Sequence, residues 1–351
     1  MKTFKFRLKR RNTAKLEKMA GAVNFVWNYA NQTSVEYLDK FGKWLSGYDL
    51  NYLTVGCSKD LGINANSVQF VCEELAKRRK QSRRRKLSWR SQKRSLGWVP
   101  FKQDGILIKD DVITYYGNQF KFWKSRQIEG KIRGGSFTQD SKGNWYINIV
   151  CEVPRSIRIA DNREVGIDLG LKTLATLSDG NKIDRFNITD KYADRLAMAK
   201  RANKKKRATA IHAKIKNTRK DFNHKETTKL VNNYGKIFVG DVSPSKLMKT
   251  NMSKIVTDVS WCDFKSMLAY KAIALGVEYK EVKENFSTVT CSTCFERTGP
   301  SGLSALGVRE WTCKCGATHD RDVNAAKNIL RFGHETPIKG SPYYKRNVSK
   351  R

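Results

Sequence analysis

Residues 164–180 read EVGIDLGLKTLATLSDG, and the second half of the fold turns on them. The spacing predicts an apolar strand over 164–169 and a second over 174–178, with Gly170 in the connection. Asp168 falls inside the first strand, where a carboxylate is buried at a cost unless a cation offsets it. That makes Asp168 a candidate metal ligand. The plainer reading is an aspartate capping a turn, and the short I-D-x-G string does not choose between them.

Working outward, a long basic helical region is expected from about 190 to 231, a strand over 236–241, a helix over about 258–275 and a strand over 277–283. This order reads as a mixed α/β sheet. A helix joining strands 236–240 and 277–283 makes them a right-handed parallel pair, with their ends about 4.8 Å apart.

Further along, CSTC (291–294) and CKC (313–315) are separated by eighteen residues and followed at once by GATHDRDVNAAKNIL. Cys291, Cys294, Cys313 and Cys315 are the expected ligands of one structural Zn²⁺, because four protein ligands leave no open position for water. The second pair is one residue tighter than usual, so His319 stands as the substitute ligand. Asp320 and Asp322 open a helix whose Ala325, Ala326 and Ile329 pack inward. Asp320 suits the helix N-terminus. Asp322, four residues before Ala326, lies on the packed side and can face Asp168.

The N-terminal half has another texture. Residues 2–9 alternate, with Phe4, Phe6 and Leu8 on one face and Lys5, Arg7 and Lys9 on the other, as in a half-buried strand. Leu16, Ala20, Val23, Trp27 and Ala30 then follow a helical stripe, and Val68, Val71, Cys72 and Leu75 mark another helix. Strand patterning returns over 106–153, with a turn at Gly117-Asn118 and another at DSKGN (140–144). The simplest architecture is a β-barrel with the helices inserted, bounded by Pro154.

The chain has 351 residues, enough for two or three domains, and 69 Lys+Arg against 33 Asp+Glu leave a net charge of +36. Nucleic acid is the expected partner. Residues 77–94 hold eleven Lys/Arg and residues 200–220 hold ten, with no acid in either run. Such runs suit the backbones of polyanions, although a solvated face is the bland alternative. Trp89 and Trp98 could stack on bases or pack in a core. No apolar signal core and no span of about 18 apolar residues is present. The expectation is a soluble, cytoplasmic, nucleoid-associated protein, and the scattered Cys57, Cys72, Cys151 and Cys262 fit a reducing compartment.

GIDLGLKTLATLSDG (166–180), KNTRKDFNHKETTKLV (216–231), the run from VSWCDF to MLAYKA (259–272) and WTCKCGATHDRDVNAAKNI (311–329) resemble the RuvC-like nuclease of the TnpB family, the RNA-guided endonucleases of insertion sequences related to type V CRISPR effectors and Fanzor. The likeness extends more faintly through LGWVPF (96–101) to the N-terminal helices. It implies a multidomain α+β protein: a wedge β-barrel over 1–10 and 95–158, and an inserted helical recognition bundle over 11–94. An RNase H-like (RuvC) domain follows over 159–286 and 319–332, with an inserted zinc ribbon over 287–318. A basic flexible tail from 333 to 351 completes the chain. Carried over, Asp168 resembles the first catalytic aspartate and Asp322 the last.

One position departs from the pattern. Family members usually carry a catalytic glutamate at the end of the strand that here reads KIFVGD, where this chain has Gly240 and then Asp241. Alternation along a strand aims Asp241 away from the site unless a bulge intervenes. Glu284, which ends the next strand, resembles a rearranged glutamate in part of the wider group and is expected to complete the site. A solvated strand-end residue is its bland reading.

Three converging carboxylates imply two catalytic Mg²⁺ ions. The resemblance further implies a guide RNA derived from the element end, a double-stranded target DNA and a short flanking motif read by the protein. The region of Tyr48 and Asn66–Gln69 resembles the motif reader, with Gln69 suited to an adenine edge. Arg78, Arg79, Arg83, Arg84 and Arg85 are candidate nucleic-acid contacts. A nuclease-inactive, repressor-like binder is the alternative that Gly240 motivates; a DNA-joining transposase, or an accessory to one, is another, and no catalytic tyrosine points to it.

Overall fold

The structure is a computed structural model that describes residues 1–10, 13–82, 84–154, 162–243, 253–302 and 304–335. The chain divides after Pro154 into two compact units.

In the first unit, strand β1 (Lys2–Arg7) turns Phe4 and Phe6 inward, as its alternation predicts. It pairs with β7 (Trp145–Glu152), which pairs with β6 (Lys131–Gln139), which pairs with β2 (Trp98–Lys102), all antiparallel. A separate meander holds β3 (Ile106–Lys109), β4 (Val112–Tyr115) and β5 (Asn118–Lys121). Its second turn is Tyr116-Gly117, with φ of 47° and 69°, one residue earlier than the sequence suggested. Two consecutive left-handed residues make the tight connection whose twist matches the strands.

Between described residues, the two sheets meet at a single bridge, Leu8 to Phe122. The expected barrel is therefore a pair of linked sheets and not a continuous ring of ladder bonds. The chain passes from β2 to β3 through one 3-10 turn at Gln103–Gly105, so that junction is covalent instead of paired.

Helices α1 (Thr13–Phe41), α2 (Gly47–Leu53), α3 (Cys57–Asp60) and α4 (Ala65–Ser82) follow β1. The predicted apolar stripes of α1 and α4 are buried and share one core with Phe101, Tyr115, Phe120 and Phe137. Helix ends at Ser82. Residues 84–97 form an irregular strap along α1, where Asn31 exchanges hydrogen bonds with the Leu87 backbone, Asn28 with that of Arg90, and Trp27 Nε1 donates to the Ser88 carbonyl. The resemblance implied a helical bundle over 11–94; in its last part side-chain amides satisfy the strap's backbone instead.

The second unit is built on five strands in the order β10-β9-β8-β11-β12: β8 (Glu164–Asp168), β9 (Thr173–Leu177), β10 (Lys182–Asp184), β11 (Lys236–Gly240) and β12 (Glu278–Val282). β8, β9 and β10 form an antiparallel meander, while β11 runs parallel to both β8 and β12. The basic region breaks into α5 (Ile188–Lys191), α6 (Ala193–Arg201) and α7 (Lys205–Asn233), with Asn203 left-handed in the second break. α8 (Ser253–Val259) and α9 (Trp261–Leu275) are likewise split by a left-handed Ser260. Val165, Ile167, Ile237 and Val239 are fully buried, each contributing about 1.5–3 kcal/mol.

Two short strands, β13 (Glu310–Thr312) and β14 (Thr318–Asp320), lead into α10 (Arg321–Glu335). This helix lies directly on β8. A Cβ at Gly166 would stand 2.1 Å from the Ala326 carbonyl oxygen and 2.6 Å from the Leu330 nitrogen, so only glycine permits the approach. α10 also runs past Gly333, where the sequence suggested a tail, and there His334 Nε2 meets Glu164 Oε2 at 2.6 Å. The remainder of that tail lies outside the described residues. Among the described residues no helix is long and apolar enough to cross a membrane.

Candidate active site and metal centre

Lys236 to Val239 of β11 stand opposite Glu164 to Ile167 of β8, so Gly240 and Asp168 follow as neighbours at the carboxyl ends of parallel strands. Gly240 is also paired with Val282 of β12. Glu284, two residues beyond that pair, turns back over the glycine. A Cβ at 240 would lie 2.5 Å from Glu284 Oε2 and 3.4 Å from Glu284 Cβ. The Glu284 carboxylate thus occupies the space above the residue that lacks one.

Asp322 is brought to the same edge by α10. Its neighbour Asp320 caps that helix: Oδ1 accepts the backbone N–H groups of Asp322 and Val323, each at 3.0 Å, and Oδ2 accepts from Lys182 Nζ at 2.7 Å. Asp320 is committed to the cap, as its position suggested. Asp322 is left to face the sheet.

Burial first, and then the charges of Glu284 and Asp322, push the Asp168 carboxyl up to about 7, while Arg321 pulls the other way. Burial also raises Glu284, with Asp241 adding to the rise and Lys265 opposing it. Asp168 therefore lies in the field of both other acids at this sheet edge. Their oxygens do not form a closed group: among the described residues the four cysteines are the set that brings at least three metal-binding atoms within 4.8 Å of one another.

Two cations beside the acids had no sequence signal. Arg309, just before β13, reaches Asp322 at 3.4 Å, and the Arg309 carbonyl accepts the Arg321 backbone N–H at 2.7 Å. Their proximity depends on the fold of the cysteine segment. Asp241, in contrast, is exposed, and its carboxylate accepts the Glu284 backbone N–H at 3.3 Å.

Cys291 and Cys315 place their sulfurs 3.8 Å apart, and Cys294 and Cys313 place theirs 3.6 Å apart. Thiolates about 2.3 Å from a tetrahedral zinc stand about 3.8 Å from one another, so the cluster could hold such a metal. The tight C-x-C pair presents both sulfurs. His319 Nε2 lies 3.1 Å from Cys291 Sγ, beside the four-sulfur set. The Cys313 thiol is drawn down to about 6, first by the Cys315 backbone N–H and then by the Thr298 hydroxyl. Asn324 and Asn328, one turn apart on α10, both donate to the carbonyls of Ser287 and Thr290, fastening the first knuckle to the helix that carries Asp322.

The candidate nucleic-acid residues separate by environment. Tyr48 is 88% exposed. Gln69 is exposed and accepts from Lys102. Arg78 pairs with Glu74 and Arg85 with Asp39, while Arg84 is exposed. Arg79 is a correction: it is 5% exposed, hydrogen-bonded to Asn31 and stacked over Trp44, so its guanidinium braces the core. Arg83 lies outside the described residues. Trp89 is exposed and Trp98 half-buried.

Comparison with known proteins settles the family. A Streptomyces pristinaespiralis protein provisionally named an RNA-guided DNA endonuclease is 30% identical over 352 aligned residues, covering 91% of this chain and 86% of its own. The chain belongs to the TnpB family. Other TnpB-family relatives include Escherichia coli InsQ, provisionally named in the same way, at 28% identity over 61% of this chain and 60% of that protein. Mimivirus TnpB-like protein L79 is 27% identical over 59% of this chain and 43% of its own. The family model described as "Probable transposase" (OrfB of IS605) matches residues 148–251, and "Cas12f1-like, TNB domain" matches residues 261–329. Cas12f1 in its complex with sgRNA and target DNA has the same fold, with a TM-score of 0.63 at 13% identity over 92% of this TnpB-family chain and 83% of that one.

Proposed function

We propose that this protein is an RNA-guided DNA endonuclease of a transposable element, in which Asp168, Glu284 and Asp322 bind two Mg²⁺ ions in an RNase H-like (RuvC) domain. The observation that carries this reading is the Glu284 carboxylate lying over Gly240, in the electrostatic field of Asp168.

The donor set fits the ions. Three carboxylates at one edge supply hard oxygen ligands, and Asp168, raised first by burial and then by the charges of Glu284 and Asp322, is a carboxyl whose ionised form a divalent cation would stabilise. Mg²⁺ held by these carboxylates would supply the Lewis acidity that phosphodiester hydrolysis needs at the attacking water and the leaving oxygen. The chain's own residues do the rest. α10, packed on β8 through the close approach at Gly166, carries Asp322 to the edge where Asp168 senses its charge. Arg309 and Arg321 set fixed positive charge beside the acids, where an incoming phosphate needs it.

The exposed members of the basic runs, Arg78, Arg84 and Arg85 among them, suit the backbones of a guide RNA and a double-stranded DNA target. Tyr48 and Gln69, both exposed, suit reading of a short flanking motif. Zinc on the four cysteines has a structural part, fixing the segment that delivers Arg309.

The test is cleavage of target DNA by the protein copurified with its RNA, whose sequencing identifies the guide. Asp168→Ala, Glu284→Ala and Asp322→Ala should each abolish cutting while leaving target binding. Specific binding without a product in Mg²⁺ or Mn²⁺ by the unaltered protein would instead favour the nuclease-inactive binder, and undiminished cutting by Glu284→Ala would remove Glu284 from the site.

A further inference from the structure

Asp241 sits one place past the glycine that Glu284 covers, yet its side chain is spent on the backbone. Its N–H donates to the Val282 carbonyl at 2.8 Å and its Oδ1 accepts the Glu284 N–H at 3.3 Å. The chain from 282 to 284 is thereby held at both ends by the residue that follows β11. Beyond Val282 the strand ladder has stopped, so no regular pairing fixes the direction in which Glu284 leaves the sheet.

A second brace acts at the same place. Lys265 of α9 has a side chain only 12% exposed, and its Nζ donates to Glu281 Oε2 at 2.9 Å and to the Val242 carbonyl at 3.4 Å. One partly buried ammonium thus links β12 to the residue after Asp241. Tyr279 completes the brace by donating to Glu281 Oε1 at 3.2 Å.

We propose that Asp241 is a positioning residue: it fixes the Glu284 backbone so that the glutamate side chain folds back over Gly240, and it is not a metal ligand. The inference rests on the reading of Glu284 as part of the catalytic set. What the position requires is an acceptor oxygen at the end of a short side chain, which asparagine also supplies. A ligand role would require the negative charge.

Asp241→Asn and Asp241→Ala separate the two, each prepared as the protein–RNA complex and assayed for DNA cleavage across Mg²⁺ concentrations. Asp241→Asn should cut within about threefold of the unaltered protein with the same half-saturating Mg²⁺. Asp241→Ala should lose about 10–100-fold, the usual range for residues that orient a metal ligand. A readout independent of the loaded enzyme is hydrogen exchange in EDTA: protection of the Glu284 amide should survive in Asp241→Asn and vanish in Asp241→Ala. Loss of cutting in Asp241→Asn equal to that in Asp241→Ala, or unchanged protection in Asp241→Ala, overturns the proposal. Should the alanine variant not fold, as a melt would reveal, the asparagine variant decides alone: retained cutting and Mg²⁺ dependence support positioning, and their loss refutes it. Glu284→Ala in the same assay tests the parent reading separately, since its outcome does not depend on how the two Asp241 variants compare.

Discussion

The Glu284 carboxylate and the bare α-carbon of Gly240 are complementary: Oε2 comes within 2.5 Å of where a Cβ at 240 would stand. The glycine leaves the room in which the carboxylate lies, and a methyl group there would make that carboxylate swing aside. Gly240→Ala removes no functional group, yet it should displace Glu284 and lower the cleavage rate by about 10²-fold, the scale of an ångström's misplacement in a reacting site. Target binding measured alongside should be unchanged. Full activity in Gly240→Ala would mean that Glu284 works from another position.

Gly166→Ala tests the other half of the site. Its Cβ would meet the Ala326 carbonyl oxygen at 2.1 Å, backbone against side chain, so α10 must lift from β8. The expected cost is about 1–3 kcal/mol or more. Cleavage should fall because Asp322 moves with the helix. Denaturant unfolding and a cleavage assay check the two effects, and an unaltered midpoint would contradict the packing.

The pH dependence of stability follows from Asp168. Its carboxyl titrates at about 7 in the folded protein, against about 3.9 in an unfolded chain. A raised folded value means the stabilising contribution is complete below about pH 4 and lost as pH rises through about 7. Asp168→Asn escapes that loss. In chelator, its melting temperature should exceed that of the unaltered protein by a margin that grows from pH 4 to pH 7 and then levels. A margin constant with pH would refute the burial of Asp168 beside Glu284 and Asp322.

Zinc should be present at one equivalent and should hold the segment from Cys291 to His319 together. Metal analysis checks the first statement. For the second, a strong chelator or Cys291→Ser should increase hydrogen exchange in residues 287–319 while residues 1–154 keep their protection. Cleavage should fall too, because Arg309 reaches Asp322 from within this segment. Unchanged exchange after verified removal of zinc would show that hydrogen bonds such as those from Asn324 and Asn328 suffice.

Periodicity was the legible part of the chain. Alternation in residues 2–7 and the stripes of α1 and α4 follow from local backbone geometry, so the buried faces could be read directly. The parallel pairing of β11 and β12 was legible for a similar reason, since a helix crossover leaves few alternatives. Ends and junctions were harder. Tyr116 took a left-handed turn position normally reserved for smaller residues, and the strap after Ser82 depends on amides some 56 to 62 residues away in sequence.

Charged residues were the least legible. Arg79 and Arg84 sit in the same basic run, but only a fold that brings Asn31 and Trp44 to Arg79 buries one and leaves the other exposed. Arg309 is a similar case, invisible as a partner of Asp322 until the ribbon strands place it there.

By itself the sequence determined where the main strands and helices lie, which cysteines gather and which two aspartates could meet, because each depends on spacing along the chain or on a short motif. Tertiary structure decided that Glu284 covers Gly240, that Asp241 turns to the backbone and that Arg309 meets Asp322. Those are contacts between segments 43 or 44 residues apart or across the ribbon's hairpin. Their outcome is set by steric space and charge, and neither exists until the strand ends have been brought side by side.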